Sequence, residues 1–264
     1  AFNAKQYDQA RTHFQSAIDG GYGGPTPDVL IANTYFNEAQ DQIVNNQFTD
    51  AGKAKVEQGL PHLKRAIELQ KASGQPVDAS WYNKGLSMAV FAKSPTLSDW
   101  TKLALPVSGT PDNWALVLRM LQDEYPNATR DESIDIMRLM AATKSLKSAY
   151  NYNEYAEAAN RLGLPGEVKA VIDQGRSSGV LSGTTLSDLY QVATSGITQD
   201  RASLATSEKS AASAATGKPA ANTASAFMSY GDNAKAVTLY RLALQKGGVD
   251  ADEVNTRLGI ALAR

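Results

Sequence analysis

Two histidines, His13 and His62, are the residues best suited by type to move a proton or hold a metal. Each falls one residue before a large apolar side chain, Phe14 and Leu63, in a helix-spaced pattern, and neither has a second ligand at metal-binding spacing. Both are expected at a surface or groove edge, repeated because the segment that carries them is repeated. There is no cysteine, which removes thiolate nucleophiles, Cys-ligated zinc and disulfides together. No G-x-S-x-G elbow supports a Ser-His-Asp arrangement. Asp131 and Asp135, with Glu132 between them, share a helical face and offer oxygens to a cation. A divalent site takes several more oxygens and usually a shaped loop, so an acidic first turn favoured by the helix dipole accounts for them better. The glycines from Gly20 to Gly24 lack the Lys-Ser/Thr ending of a phosphate loop and are expected as a connector. Tyr150, Tyr152 and Tyr155 offer ring faces for a sugar or base, but the spacing turns Tyr152 and Tyr155 inward and leaves Tyr150 as the contact candidate. No metal, cofactor or enzymatic activity is expected from these residues.

The elements that would position such groups are signalled by a repeat. A small–large–small triplet at steps of four and three recurs as Ala10, Phe14, Ala17, as Gly59, Leu63, Ala66, as Val168, Ile172, Gly175, and as Ala236, Tyr240, Ala243. Those steps keep all three residues on one helical face, where small residues admit a neighbouring helix and the large one fills the space between. Preceding helices can be phased at Asp28, Trp81, Trp114, Tyr152, Leu186, Ala220 and Asn255, giving steps of 53, 33, 38, 34, 34 and 35. The long first step predicts an insertion within 42–55. Loops rich in Gly and Pro fall between the phased segments: Gly20 to Pro27, Ser73 to Pro76, Ser108 to Pro111, and Gly163 to Gly166. The Ala- and Ser-rich stretch Ala202 to Ala226 is expected as two helices broken at Gly217-Lys218-Pro219.

The spacing and residues resemble the tetratricopeptide repeat family, a 34-residue helix-turn-helix unit, over essentially the whole chain. Asn151 to Gly175, Gly217 to Ala226 and Leu242 to Ala263 also resemble tetratricopeptide proteins exported to the envelope of Gram-negative bacteria, to which no activity is assigned. The resemblance implies an all-α, right-handed solenoid of antiparallel helix pairs over 1–264, with about six full repeats and partial ones at both ends. It implies about fourteen helices and no sheet. Helix starts are predicted near Asp28, Ala79, Asp112, Ala149, Thr184, Lys218 and Ala251. Trp81, Trp114, Tyr152, Phe14 and Tyr240 are expected in the core, and the helix that ends near Arg264 is expected to leave an apolar face open.

In that family the first helix of each repeat lines a concave groove. Carrying the groove positions over selects Asn33, Phe36 and Asn37, then Tyr82, Leu86 and Val90, then Arg119, Gln122 and Asp123, then Tyr150, Asn153, Glu157, Asn160 and Arg161. This lining is mixed, aromatic and near neutral, which suits a protein or peptide segment. The formal net charge of -1 gives no basic field for nucleic acid. The apolar run Met88 to Ala92 is far short of a membrane span. The expected function is a protein-binding scaffold in a periplasm or cell envelope. The alternative is a structural subunit of a larger envelope assembly, joined through its open terminal helices.

Overall fold

Six of the seven predicted helix starts follow a Gly, a Pro or a capping side chain, and the computed structural model places the seven at Thr26, Ala79, Pro111, Ala149, Ser187, Lys218 and Ala251. It describes residues 6–124 and 130–264. Among these residues the chain forms thirteen helices, and neighbouring helices pack in chain order. Several start on a side-chain cap, which supplies an acceptor to an otherwise unpaired N–H. Asp78 accepts from Ser80 N–H at 2.8 Å, and Asp250 accepts from Asp252 and Glu253 N–H at 2.9 and 3.1 Å. By its contacts the chain divides into two compact units, 1–120 and 121–264.

The first unit contains α1 (Tyr7–Asp19), α2 (Thr26–Gln40), α3 (Asp50–Ala72), α4 (Ala79–Ala92), α5 (Leu97–Ser108) and most of α6 (Pro111–Glu124). The predicted insertion is real in form: an antiparallel hairpin of β1 (Ile43–Val44) and β2 (Gln47–Phe48) precedes a long α3 of 23 residues. The expected absence of any sheet therefore fails by this two-residue ladder. Asn45 and Asn46 both take positive φ, 51° and 61°, which a tight hairpin turn needs and asparagine tolerates.

Packing in α4 departs from the phase. Its buried stripe is Tyr82, Gly85, Leu86 and Ala89, while Trp81 is only half-buried. The cause is Gly85, against which the Trp100 ring of α5 lies so closely that a Cβ there would come within 2.1 Å of it. Trp100, which the repeat left unexplained, is thus the large core residue of this layer, and Tyr82 turns inward beside it. Phe14 and Trp114 are also half-buried, whereas Tyr152 and Tyr240 are fully buried as expected. The Gly59, Leu63, Ala66 triplet is buried throughout, but in α1 only Ala10 is buried and Ala17 is exposed.

The second unit contains α7 (Arg130–Ala142), α8 (Ala149–Arg161), α9 (Pro165–Ser177), α10 (Ser187–Ser213), α11 (Lys218–Ser229), α12 (Asn233–Lys246) and α13 (Ala251–Ala263). The triplets Val168, Ile172, Gly175 and Ala236, Tyr240, Ala243 are buried in α9 and α12. The expected break at Gly217 is present. The Ala- and Ser-rich stretch forms two helices on either side of it, as expected, and the first is the end of α10, which runs 27 residues from Ser187. Its second half is rich in alanine and holds neither Gly nor Pro before Gly217, so nothing ends the helix sooner.

The terminal helix differs most from expectation. α13 packs on α12 and α11 and also returns to α7, burying Val254, Arg257, Ile260 and Ala261. The face predicted to lie open is covered by the unit itself, and Leu262, 60% exposed, is its one large apolar exception. Among the described residues no helix is long and apolar enough to cross a membrane.

Candidate functional site

In the first unit the polar side chains form a tie across three helices. Asp28, a poor residue for its leading core position, is 1% exposed; His62 of α3 places Nδ1 at 2.9 Å from Oδ1, and Arg65 reaches Oδ2 at 3.5 Å. The His62 ring stacks on Tyr35 at 6.2 Å between centroids, and the Arg11 guanidinium of α1 covers the same tyrosine at 4.3 Å. Arg11 also donates to both oxygens of Glu38 at 3.1 Å, and Lys55 reaches that carboxylate at 2.8 Å. Burial alone would raise the Glu38 carboxyl, but the Arg11 and Lys55 bonds outweigh it and hold it below the ordinary range. His13 is exposed on α1 and has no such role, so the repeat places two histidines alike and the fold uses one.

The groove residues expected in this unit do not form one surface. Tyr82, Leu86 and Val90 are core residues because the inward stripe of α4 lies one residue from the assigned phase, and Phe36 is buried in the core face of α2. Asn33 and Asn37 are half-buried on α2, and Arg119 is exposed on α6.

The second unit encloses an ionic network that sequence spacing does not reveal. Arg138 of α7, 0% exposed, donates through Nε and Nη2 to both oxygens of Glu167 at 2.8 and 2.7 Å, and through Nη1 to Asp135 at 2.8 Å. Tyr155 of α8 donates to Glu167 Oε1 at 2.5 Å. Arg257 of α13 reaches Asp135 Oδ2 at 2.9 Å across 122 residues. Burial pushes the Glu167 carboxyl up, but Arg138 and the hydrogen bonds prevail and it lies below the ordinary range. Burial likewise raises the Tyr155 hydroxyl far above its usual value, the wrong direction for a proton acceptor. Burial raises the Asp135 carboxyl too, and its two guanidiniums do not wholly offset this. Asp135 thus serves as an internal ion-pair partner instead of an acidic first turn; the Asp131 and Glu132 side chains lie outside the described residues. Each strongly shifted member is bonded to another, so the cluster acts as a fastening. Among the described residues no group of three or more His, Asp or Glu could hold a metal ion.

The α8 candidates fare better. Asn151, Tyr152, Tyr155, Ala156, Ala158 and Ala159 are buried, which leaves Tyr150, Asn153, Glu157 and Arg161 along the opposite side at steps of three, four and four. Tyr150 is 67% exposed, Asn153 is half-buried, and Arg161 pairs with Glu157 at 3.4 Å. Glu157, Asn160 and Arg161 then form one wall of a cleft of about 530 Å³, whose other wall is Thr184 and Leu186–Leu189 at the start of α10. The phase made Leu186 a core residue of a first helix; it instead caps α10 in the left-handed region at φ 59°. That conformation is strained for a bulky side chain, and such residues gather at functional sites. Asp123 is exposed at the end of α6 and takes no part in this cleft. The α10 wall escaped sequence reasoning because no residue type in Thr-Leu-Ser-Asp-Leu marks it; the preceding Gly183 was the available signal. No protein-family model matches the chain, and no curated protein matches its sequence.

Proposed function

We propose that this protein is a non-enzymatic scaffold that binds a protein or peptide segment along the outer face of α8. The observation that carries the reading is the exposed stripe Tyr150, Asn153, Glu157 and Arg161 leading into the cleft beside α10. An exposed tyrosine at one end and an arginine at the other are the residue types that most often dominate binding energy. The Glu157–Arg161 pair is solvent-exposed and contributes little to stability, so both groups can be redirected to a partner's backbone or carboxylate. Within each unit the reading takes the helices as right-handed, tetratricopeptide-like pairs. With the lack of cysteine and the resemblance to exported proteins, it favours an oxidising periplasm or cell envelope. The test is the double substitution Tyr150→Ala with Arg161→Ala, with helix content checked by circular dichroism and captured partners compared with those of the parent. Loss of a partner supports the reading; unchanged partners on an intact fold refute it.

A further inference from the structure

Elsewhere in the second unit, walled by α9, α10 and α11, lies a cavity of about 590 Å³ whose charges are unevenly matched. That volume is within the range of small-molecule sites. Its lining is mainly apolar, including Val171, Ile197 and Met228, with Lys169, Arg201 and Arg264 as cations and Glu167 and Asp173 as carboxylates. Both carboxylates are already committed. Glu167 is held by Arg138 and Tyr155, and Asp173 accepts from Lys169 Nζ at 2.6 Å. Of the cations, Arg201 has no carboxylate partner among the described residues, and Arg264 acts on Glu167 through space without a hydrogen bond to it. Among the described residues Arg201 meets only the Tyr230 ring, at 4.7 Å, and Arg264 donates only to the Arg138 carbonyl, at 3.4 Å.

The wall that carries Arg201 is rigid. The Tyr230 hydroxyl donates to Asp200 Oδ2 at 2.5 Å, and its ring lies against Gly166 so closely that a Cβ there would fall within 2.5 Å. Tyr230 thus anchors α11 to α10 and offers Arg201 a fixed aromatic face. Arg201 can keep that stacking contact while its N–H groups donate to an acceptor in the cavity. With three cations against two occupied carboxylates, the lining has room for one negative charge.

We propose that this cavity binds a small organic monoanion, a carboxylic acid with an apolar body, whose carboxylate bridges Arg201 and Arg264 while the body rests on Met228, Ile197 and Val171. An isolated carboxylate in this setting gains charge-assisted bonds that a neutral analogue does not. The apolar lining supplies the remaining affinity by excluding water from the body. This site is distinct from the α8 stripe, and its failure leaves that proposal intact.

The test uses 4-phenylbutyrate, its neutral amide 4-phenylbutanamide, and an acetylated tripeptide acid ending in phenylalanine, each titrated into the protein by calorimetry. The expected result is binding of 4-phenylbutyrate about tenfold or more tighter than the amide, the worth of one charge-assisted bond. This preference should weaken with added salt. It should vanish in the variant carrying Arg201→Gln and Arg264→Gln, whose helix content should be unchanged because both side chains are exposed. As a second variant, Met228→Ala should weaken the acid and the amide alike. Equal binding of acid and amide, a preference that survives the double arginine variant, or no binding of either overturns the proposal. Tighter binding of the peptide acid than of 4-phenylbutyrate overturns the small-acid assignment in favour of a peptide terminus.

Discussion

Replacing Arg138 by Met should destabilise the second unit by about 3–5 kcal/mol near neutral pH, the cost of leaving a buried charge without its partner. The magnitude follows from what each neighbour retains. Glu167 loses both guanidinium bonds, at 2.8 and 2.7 Å, and keeps the Tyr155 hydroxyl and the more distant Arg264 charge. Asp135 loses one bond but keeps Arg257. The loss therefore falls chiefly on Glu167. In the parent its carboxyl is held below the ordinary range, so it contributes stability that is present above the unfolded value and lost as pH falls through the folded one. Without Arg138, burial, the largest influence on this carboxyl, is opposed only by the Tyr155 hydrogen bond and the Arg264 charge, so the folded carboxyl rises and protonation relieves part of the penalty. The gap between parent and Arg138→Met should therefore narrow on going from pH about 7 to about 4.5. Adding Glu167→Gln should bring the variant to within about 2 kcal/mol of the parent, because a neutral pair needs no counter-charge. Urea unfolding followed by circular dichroism measures all three. A loss below about 1 kcal/mol, the value of an exposed pair, or a gap that does not change with pH would refute the account.

Gly85→Ala should cost about 1–3 kcal/mol or more by overpacking, since its methyl would meet the Trp100 ring at 2.1 Å; thermal melts should show part of this recovered when Trp100→Leu is added. Tyr240→Phe removes a buried hydroxyl bonded to Ser225 at 2.9 Å and should cost about 1 kcal/mol in urea, whereas Tyr240→Ala should cost about 3–5 by opening a cavity. Glu38→Gln should lower stability by about 1 kcal/mol near neutral pH. The Glu38 carboxyl is held below its ordinary value, so that difference should be full above the unfolded value and be lost as pH falls through the lower folded one, as melts across pH will show.

Helix starts were legible because they depend on local chemistry: the Asp78 cap, Pro111, Ser148 and the Gly217-Lys218-Pro219 break each act within a few residues. The triplets around Leu63, Ile172 and Tyr240 were legible because three small or apolar residues on one face have few other uses. What escaped depends on distant partners. Tyr82 and Trp81 are equally plausible core residues until Trp100 claims the space over Gly85, fifteen positions along. Asp28 looks misplaced until His62 is brought to it. Arg138 reads as an ordinary helix surface residue, since the spacing of Glu167 and Arg257 from it carries no periodic signal. Of the candidate site, the α8 stripe was legible from helical spacing, while its facing wall was not: a leucine in a left-handed cap has no sequence signature.

The return of α13 to α7 bears on how the second unit forms. Helices that touch only their neighbours can fold from any point and propagate, each step closing a short loop. The Arg257–Asp135 contact closes 122 residues at once and is made by a helix that leaves the ribosome after every other element of the unit. Until it arrives, Arg138 already neutralises Asp135 in part, so the waiting intermediate is tolerable but incomplete. The entropic cost of so long a loop rises only slowly with length, yet it delays the last step and makes it cooperative. Arg257→Met should accordingly speed unfolding far more than it slows folding, the kinetic mark of a contact formed after the barrier has been crossed.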